Sequence, residues 1–155
     1  MRNGFTFIEL LVTLAIMAVL ALVAVPAAQR VQQRQQEHEL RLALTQIREG
    51  LDAYKRAAEQ GHMTLQIGES GYPHKLEDLV EGVPDERSPS HQMLFFLRAL
   101  PRDPLNGDAS LSAAATWQLR SYESPADDPQ PGDDVFDVHS RATGVGLNGV
   151  PYAQW

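Results

Sequence analysis

The sequence predicts an α+β chain: one long N-terminal α-helix, apolar in its first half and amphipathic in its second, packed on a small antiparallel β-sheet domain. Three observations predict it. Leu10 to Gln29 contains no charged residue, and Leu10 to Val25 is apolar but for Thr13. Further on, apolar residues recur at helical spacing from Leu40 to Ala58. Nine of the ten prolines lie after residue 70, which means short elements and many turns there.

The 155 residues suit one sizeable core and leave no room for a second. Arg2 and Glu9 cancel, so the chain beyond residue 29 carries the whole net charge of −7. An acidic body argues against a nucleic-acid partner, which wants a basic face. The absence of cysteine excludes a disulfide scaffold, a thiolate nucleophile and a zinc site built on Cys.

About 20 apolar residues at ~1.5 Å rise cross a hydrocarbon core of ~30 Å. Three readings of the first thirty residues follow. One is a cleaved secretory signal with its cut near Ala27 or Ala28. The second is a plain membrane anchor. The third is an anchor behind a short leader cut after Gly4. Glu9 discriminates among them. A carboxylate costs about 2.5 kcal/mol or more at the centre of a span and less near its end. Such a group either reaches the headgroup region or has a functional partner. Arg2 is the only basic side chain before Arg30. Arg30, Arg34 and Arg41 flank the far side of the span, so basic residues alone do not set orientation.

Gly4-Phe5-Thr6-Phe7-Ile8-Glu9, followed directly by the span, resembles the class III signal of type IV pilins and type II secretion pseudopilins. Pro26 falls where those families place a helix-softening proline. The resemblance implies cleavage by a prepilin peptidase between Gly4 and Phe5, with methylation of the new Phe5 amine to N-methylphenylalanine. It implies that Glu9 neutralises the Phe5 amine of a neighbouring subunit during assembly. It also implies a single-pass inner-membrane protein with a cytoplasmic N-terminus and a periplasmic C-terminal domain. The physics agrees: a carboxylate in an apolar bundle needs a countercharge, and a staggered neighbour can present one.

From Gln29 to Glu39 the chain is rich in helix formers and polar except for Val31. This stretch is too polar for a core and is expected to be a solvated helix, or one that loosens on assembly. Pro26 removes a backbone donor just upstream and marks the natural place for a kink. Leu40, Leu44, Ile47, Leu51, Tyr54 and Ala58 then form one stripe of an amphipathic helix. Gly50 is expected to weaken that helix by about 1 kcal/mol relative to Ala, and Gly61 to stop it. The expected organisation is a leader at 1–4, a transmembrane and assembly helix at 5–28, a stalk helix at 29–61 and a globular domain at 62–155.

Within that domain the sequence predicts a turn at Gly71-Tyr72-Pro73, a short helix at Lys75–Glu81, a loop at 82–90 and a short apolar helix around His91–Leu100. Leu100-Pro101-Arg102-Asp103-Pro104 is a turn-bearing connector. Trp117–Glu123 and Val135–Ser140 alternate and carry strand formers, so both are expected strands. Ser124–Asp134 between them is a solvated loop. Val150–Trp155 either adds a final strand or packs Tyr152 and Trp155 on the sheet.

This order is similar to the major pseudopilin family of type II secretion, apart from the 82–92 insert and the long 124–134 loop. That family binds calcium through several acidic side chains in the loop after the last strand. Here residues 141–151 carry no carboxylate, whereas a calcium site wants six to eight oxygens. Asp127, Asp128, Asp133 and Asp134 lie in the preceding loop and could be brought nearby as calcium ligands, but clustered Asp in a Pro-rich loop reads as solvated turn chemistry. No bound metal or other cofactor is therefore expected. The Gly-rich loop is then held by backbone bonds and by packing of Tyr152 and Trp155.

The sequence contains no phosphate loop, no nucleophile elbow and no paired histidines at metal spacing. His139 and Ser140 are strand neighbours on opposite faces, so they make no dyad. A catalytic role is not expected. The resemblance implies a structural pseudopilus subunit that assembles with copies of itself, other pseudopilins and an inner-membrane assembly platform, and that drives protein export. The alternatives are a type IV pilus subunit or minor pilin and, in a different class, a membrane-anchored periplasmic binding or enzymatic domain.

Overall fold

A computed structural model describes residues 6–155. The chain divides into two compact units, one ending at Gln36 and the other running Glu37–Trp155. Helix α1 spans Phe7–Glu59, and its assignment is unbroken across Pro26. Its end is built as the sequence predicts. Gly61 takes φ +76°. Its amide donates to the Ala58 carbonyl and the His62 amide to that of Ala57, both at 3.0 Å. That pair of bonds satisfies carbonyls that the last helical turn would otherwise leave open.

In the first unit the apolar side chains from Phe7 to Val25 are exposed. In the second, Leu40, Leu44, Ile47 and Leu51 pack with Leu76, Leu79, Leu97, Trp117, Val135, Val138 and Tyr152 in one core. Full burial stabilises each such leucine by about 1.5–3 kcal/mol. Gly50 lies in that packed face. A Cβ there would stand 3.0 Å from Leu97 Cγ. The glycine expected to weaken the helix is what lets Leu97 approach it closely.

The expected helix at Lys75–Glu81 is shorter: α2 covers Asp78–Glu81. Residues 75–77 wind more tightly, with the Asp78 and Leu79 amides reaching the carbonyls three residues back. Two further expectations are overturned. The 82–90 loop contains β1 (Val83–Pro84), and the expected helix at His91–Leu100 instead contains β2 (Met93–Leu94). They pair antiparallel, Val83 opposite Leu94 and Pro84 opposite Met93. The physical reason is a period of two. Met93 and Phe95 are exposed, Leu94 and Phe96 are partly buried, and Leu97 is buried. The Leu79 carbonyl accepts both the Phe96 and the Leu97 amides, which holds the segment extended.

The second pair of strands is β3 (Trp117–Arg120) and β4 (Asp137–Ser140), antiparallel, with Trp117 opposite Ser140 and Arg120 opposite Asp137. Both are shorter than expected because the flanking amides bond elsewhere. Ser121 donates to Gln130, Tyr122 to the Asp134 carboxylate and Val135 to Pro73. The tail forms no final strand. An isolated bridge joins Val145 and Pro151, then Tyr152–Gln154 makes one 3-10 turn with Tyr152 in the core. The architecture is a long helix followed by a small domain with two antiparallel two-stranded sheets, an α+β fold consistent with a type IV pilin-like chain.

Candidate functional site

Among the residues singled out at the amino terminus, Gly4 and Phe5 lie outside the described residues. Glu9 stands in the first turn of α1. Its carboxylate accepts the Thr6 amide at 3.4 Å, and the Thr6 hydroxyl accepts the Glu9 amide at 3.3 Å. This is a reciprocal capping box: two amides that the helix start leaves open are satisfied by side chains three residues apart. The spacing Thr6-x-x-Glu9 is the readable signal for it, and the sequence reading overlooked it. Glu9 therefore shapes the helix start within its own chain, whatever else it does.

From Leu10 to Val25 the helix surface is apolar but for Thr13. An 18-residue window of α1 reaches a mean hydropathy of 2.8, and none of it is buried. The one polar group within Leu10–Val25, the Thr13 hydroxyl, donates to the Leu10 carbonyl at 2.9 Å, so its hydrogen bond is made inside the helix. Such a helix is long and apolar enough to cross a membrane. Water is a poor solvent for such a surface.

The expectation that Gln29–Glu39 is too polar for burial fails at one residue. Glu37 is 6% exposed. Its Oε1 accepts the Leu147 amide at 2.8 Å and the Tyr152 hydroxyl at 3.0 Å. A helix carboxylate thus grips the Gly-rich loop and the tail. The signal in the sequence is position: Glu37 lies three residues before Leu40, on the buried stripe. The rest of the loop is held as expected, by backbone bonds from Gly146 to Val150 and from Tyr152 to Gly144. Gly146 is needed there, because a Cβ would lie 2.4 Å from Trp155 Cζ2.

The aspartates of the 124–134 loop do not converge. Asp134 accepts from Ser70 and from the Tyr122 amide, and Asp128 accepts from Gln130. Asp133 contributes its backbone carbonyl to His74 at 2.7 Å. That bond is the main cause holding the His74 imidazole above its ordinary value. Among the described residues no three His, Cys, Asp or Glu side chains are grouped to hold a metal ion. Asp103, in the predicted connector, is buried: it accepts from the Ser140 hydroxyl at 2.6 Å and from the Leu105 amide at 2.8 Å. His139 is also buried, with neither ring nitrogen hydrogen-bonded within 3.5 Å. Burial pushes its imidazole below the ordinary value. The nearest carboxylate, Asp137, is 3.8 Å away and already paired with Arg48 at 2.7 Å. Asp103 and Asp134 thus tie distant segments of the domain together.

Comparison with known proteins bears on the amino terminus alone. Residues 1–25 match the prokaryotic N-terminal methylation motif family. No curated protein and no solved structure matches the chain. The motif indicates a type IV pilin-like, prepilin-type protein. It implies processing by a prepilin peptidase and assembly into pilin-like filaments, and it points to a structural subunit rather than an enzyme. Together with the apolar helix, it indicates membrane anchoring.

Proposed function

We propose that this chain is a structural subunit of a type II secretion pseudopilus. One observation carries the reading: a single carboxylate, Glu9, begins an apolar helix with no cover of its own, immediately behind a methylation motif. A helix of that kind is stable only in lipid or in a bundle of like helices. In this reading the cut falls between Gly4 and Phe5, and Phe5 becomes the methylated amino terminus. The helix at 5–28 sits in the inner membrane, entering from the cytoplasmic side, and Pro26 softens it as it leaves. Glu9 of one subunit then meets the Phe5 amine of its neighbour in the filament core. The filament works with other pseudopilins on an inner-membrane platform and needs neither metal nor cofactor.

The capping box makes the test sharper than alanine alone. Glu9→Gln keeps an acceptor for the Thr6 amide and removes only the charge. The expected result is normal cleavage and methylation with loss of filament incorporation. Normal co-assembly of that variant would refute the proposed role of Glu9. The mass of the N-terminal peptide decides the class: a methylated Phe5 supports the reading, while an intact Met1 or a start near Ala28 removes it. Deleting the gene separates the systems. Loss of exoprotein release supports the secretion role, and loss of surface pili with release intact assigns the chain to a pilus.

A further inference from the structure

The compact unit from Glu37 onward holds 19 acidic and 10 basic residues, a net charge of −9. Copies of such a unit repel one another at close range. Stacking them in a filament requires local complementarity that outweighs the average. A groove beside α1 can supply it.

A groove of about 440 Å³ runs between α1 and the tail of the chain. Arg41, Thr45 and Arg48 line it from the helix, and Asn148, Gln154 and Trp155 from the tail. The Arg41 guanidinium lies 4.5 Å from the centre of the Trp155 ring. No carboxylate pairs with Arg41 among the described residues. Stacking fixes the plane of the guanidinium and leaves its N–H fork for an incoming carboxylate. Arg48 lines the same groove but is already engaged, by the Asp137 carboxylate at 2.7 Å and the Trp155 backbone oxygen at 2.8 Å, which leaves Arg41 as the groove's open cation among the described residues. Amide side chains complete a lining rich in donors.

The same chain presents a matching acid. Ser124–Asp134 contains Pro125, Pro129 and Pro131, which restrict its backbone. Its shape is also held from within: the Gln130 amide donates to the Ser124 hydroxyl at 2.7 Å, and the Ser121 amide to the Gln130 carbonyl at 2.9 Å. Asp127 projects from this loop exposed, with no hydrogen bond or ion pair among the described residues. A preformed loop loses little entropy on docking. The loop and the groove share no residue, so a contact between them is head-to-tail, the type that propagates into an open filament.

We propose that the Arg41 groove receives the Asp127 loop of a second copy of this chain, and that this contact registers neighbouring globular domains. The inference rests on the filament reading above. The test exploits the lack of native cysteine. Thr45→Cys and Ala126→Cys, placed together in the full-length chain, are oxidised in sedimented filaments. The expected result is a disulfide-linked ladder of multiples, absent from either single variant. Filaments without a ladder would overturn the contact and leave the filament reading standing. If the parent chain gives no sedimentable filaments, both fall. A charge exchange gives an independent measure. Arg41→Glu or Asp127→Arg alone should lower filament yield about fivefold, and the two together should restore it. No restoration in the double variant would count against the pairing.

Discussion

The Glu37 carboxylate accepts the Tyr152 hydroxyl at 3.0 Å across 115 residues of sequence, inside the core of the C-terminal unit. The same oxygen takes the Leu147 amide. One acid on the helix thereby fixes both the Gly-rich loop and the tail that follows it.

Removing that acid takes an acceptor from a buried hydroxyl and from a part-buried amide. Glu37→Ala is expected to destabilise the C-terminal unit by about 1–3 kcal/mol, since unsatisfied buried donors lose their water as well as their partner. Glu37→Gln keeps one acceptor oxygen and should lose less. Thermal melts of the full chain in detergent micelles check both.

We expect a chelator to leave the melting midpoint of the full chain unchanged, because a helix carboxylate holds the loop after β4. A midpoint that rises with added calcium and falls with the chelator would show that the loop region takes a metal.

Gly146→Ala places a methyl group against the Trp155 ring, which must move. The expected destabilisation is about 1–3 kcal/mol, as for other overpacked sites. A changed near-ultraviolet circular dichroism signal would report the displaced indole. Trp117, fully buried and donating to the Pro101 carbonyl at 2.9 Å, should contribute the same signal in both proteins.

Gly50→Ala opposes two effects. Helix propensity favours alanine by about 1 kcal/mol. The Leu97 side chain, 3.0 Å from the new Cβ, opposes it. We expect net destabilisation in the parent chain and a gain in a Leu97→Ala background. A double-mutant cycle of denaturation free energies measures the coupling. Additive effects would show that Leu97 does not set the need for glycine.

Burial holds the His139 imidazole below its ordinary value of 6.5, with Arg48 and Arg120 acting in the same direction and Asp137 and the Trp155 backbone opposing. The fold therefore keeps His139 neutral while the unfolded chain takes up a proton near pH 6.5. Stability from this group is complete above that pH and declines as the pH falls below it, until the folded protein also binds the proton. His139→Leu should flatten that decline. Melting midpoints from pH 7.5 down to pH 5, compared between variant and parent, check it, and unchanged slopes would contradict the buried neutral state.

Local pattern was enough to determine the apolar helix from Phe7, the stripe from Leu40 to Ala58, the Gly61 stop and the strand segments at 117–120 and 137–140. Each is a matter of period or of a residue's own backbone preference, which neighbours in sequence report. The capping box at Thr6 and Glu9 was equally legible and was overlooked. Gly4 and Phe5, the motif at the centre of the functional reading, are also matters of sequence alone. What only the tertiary structure decided was partnership: Glu37 with Leu147 and Tyr152, Asp103 with Ser140, Gly50 beneath Leu97, and the pairing of Val83–Pro84 with Met93–Leu94. A polar residue in a helical pattern reads as solvated until a distant segment arrives to hydrogen-bond it. An apolar run reads as helix until a carbonyl such as that of Leu79 holds it extended. Both outcomes depend on groups brought together by packing, about which local periodicity carries no information.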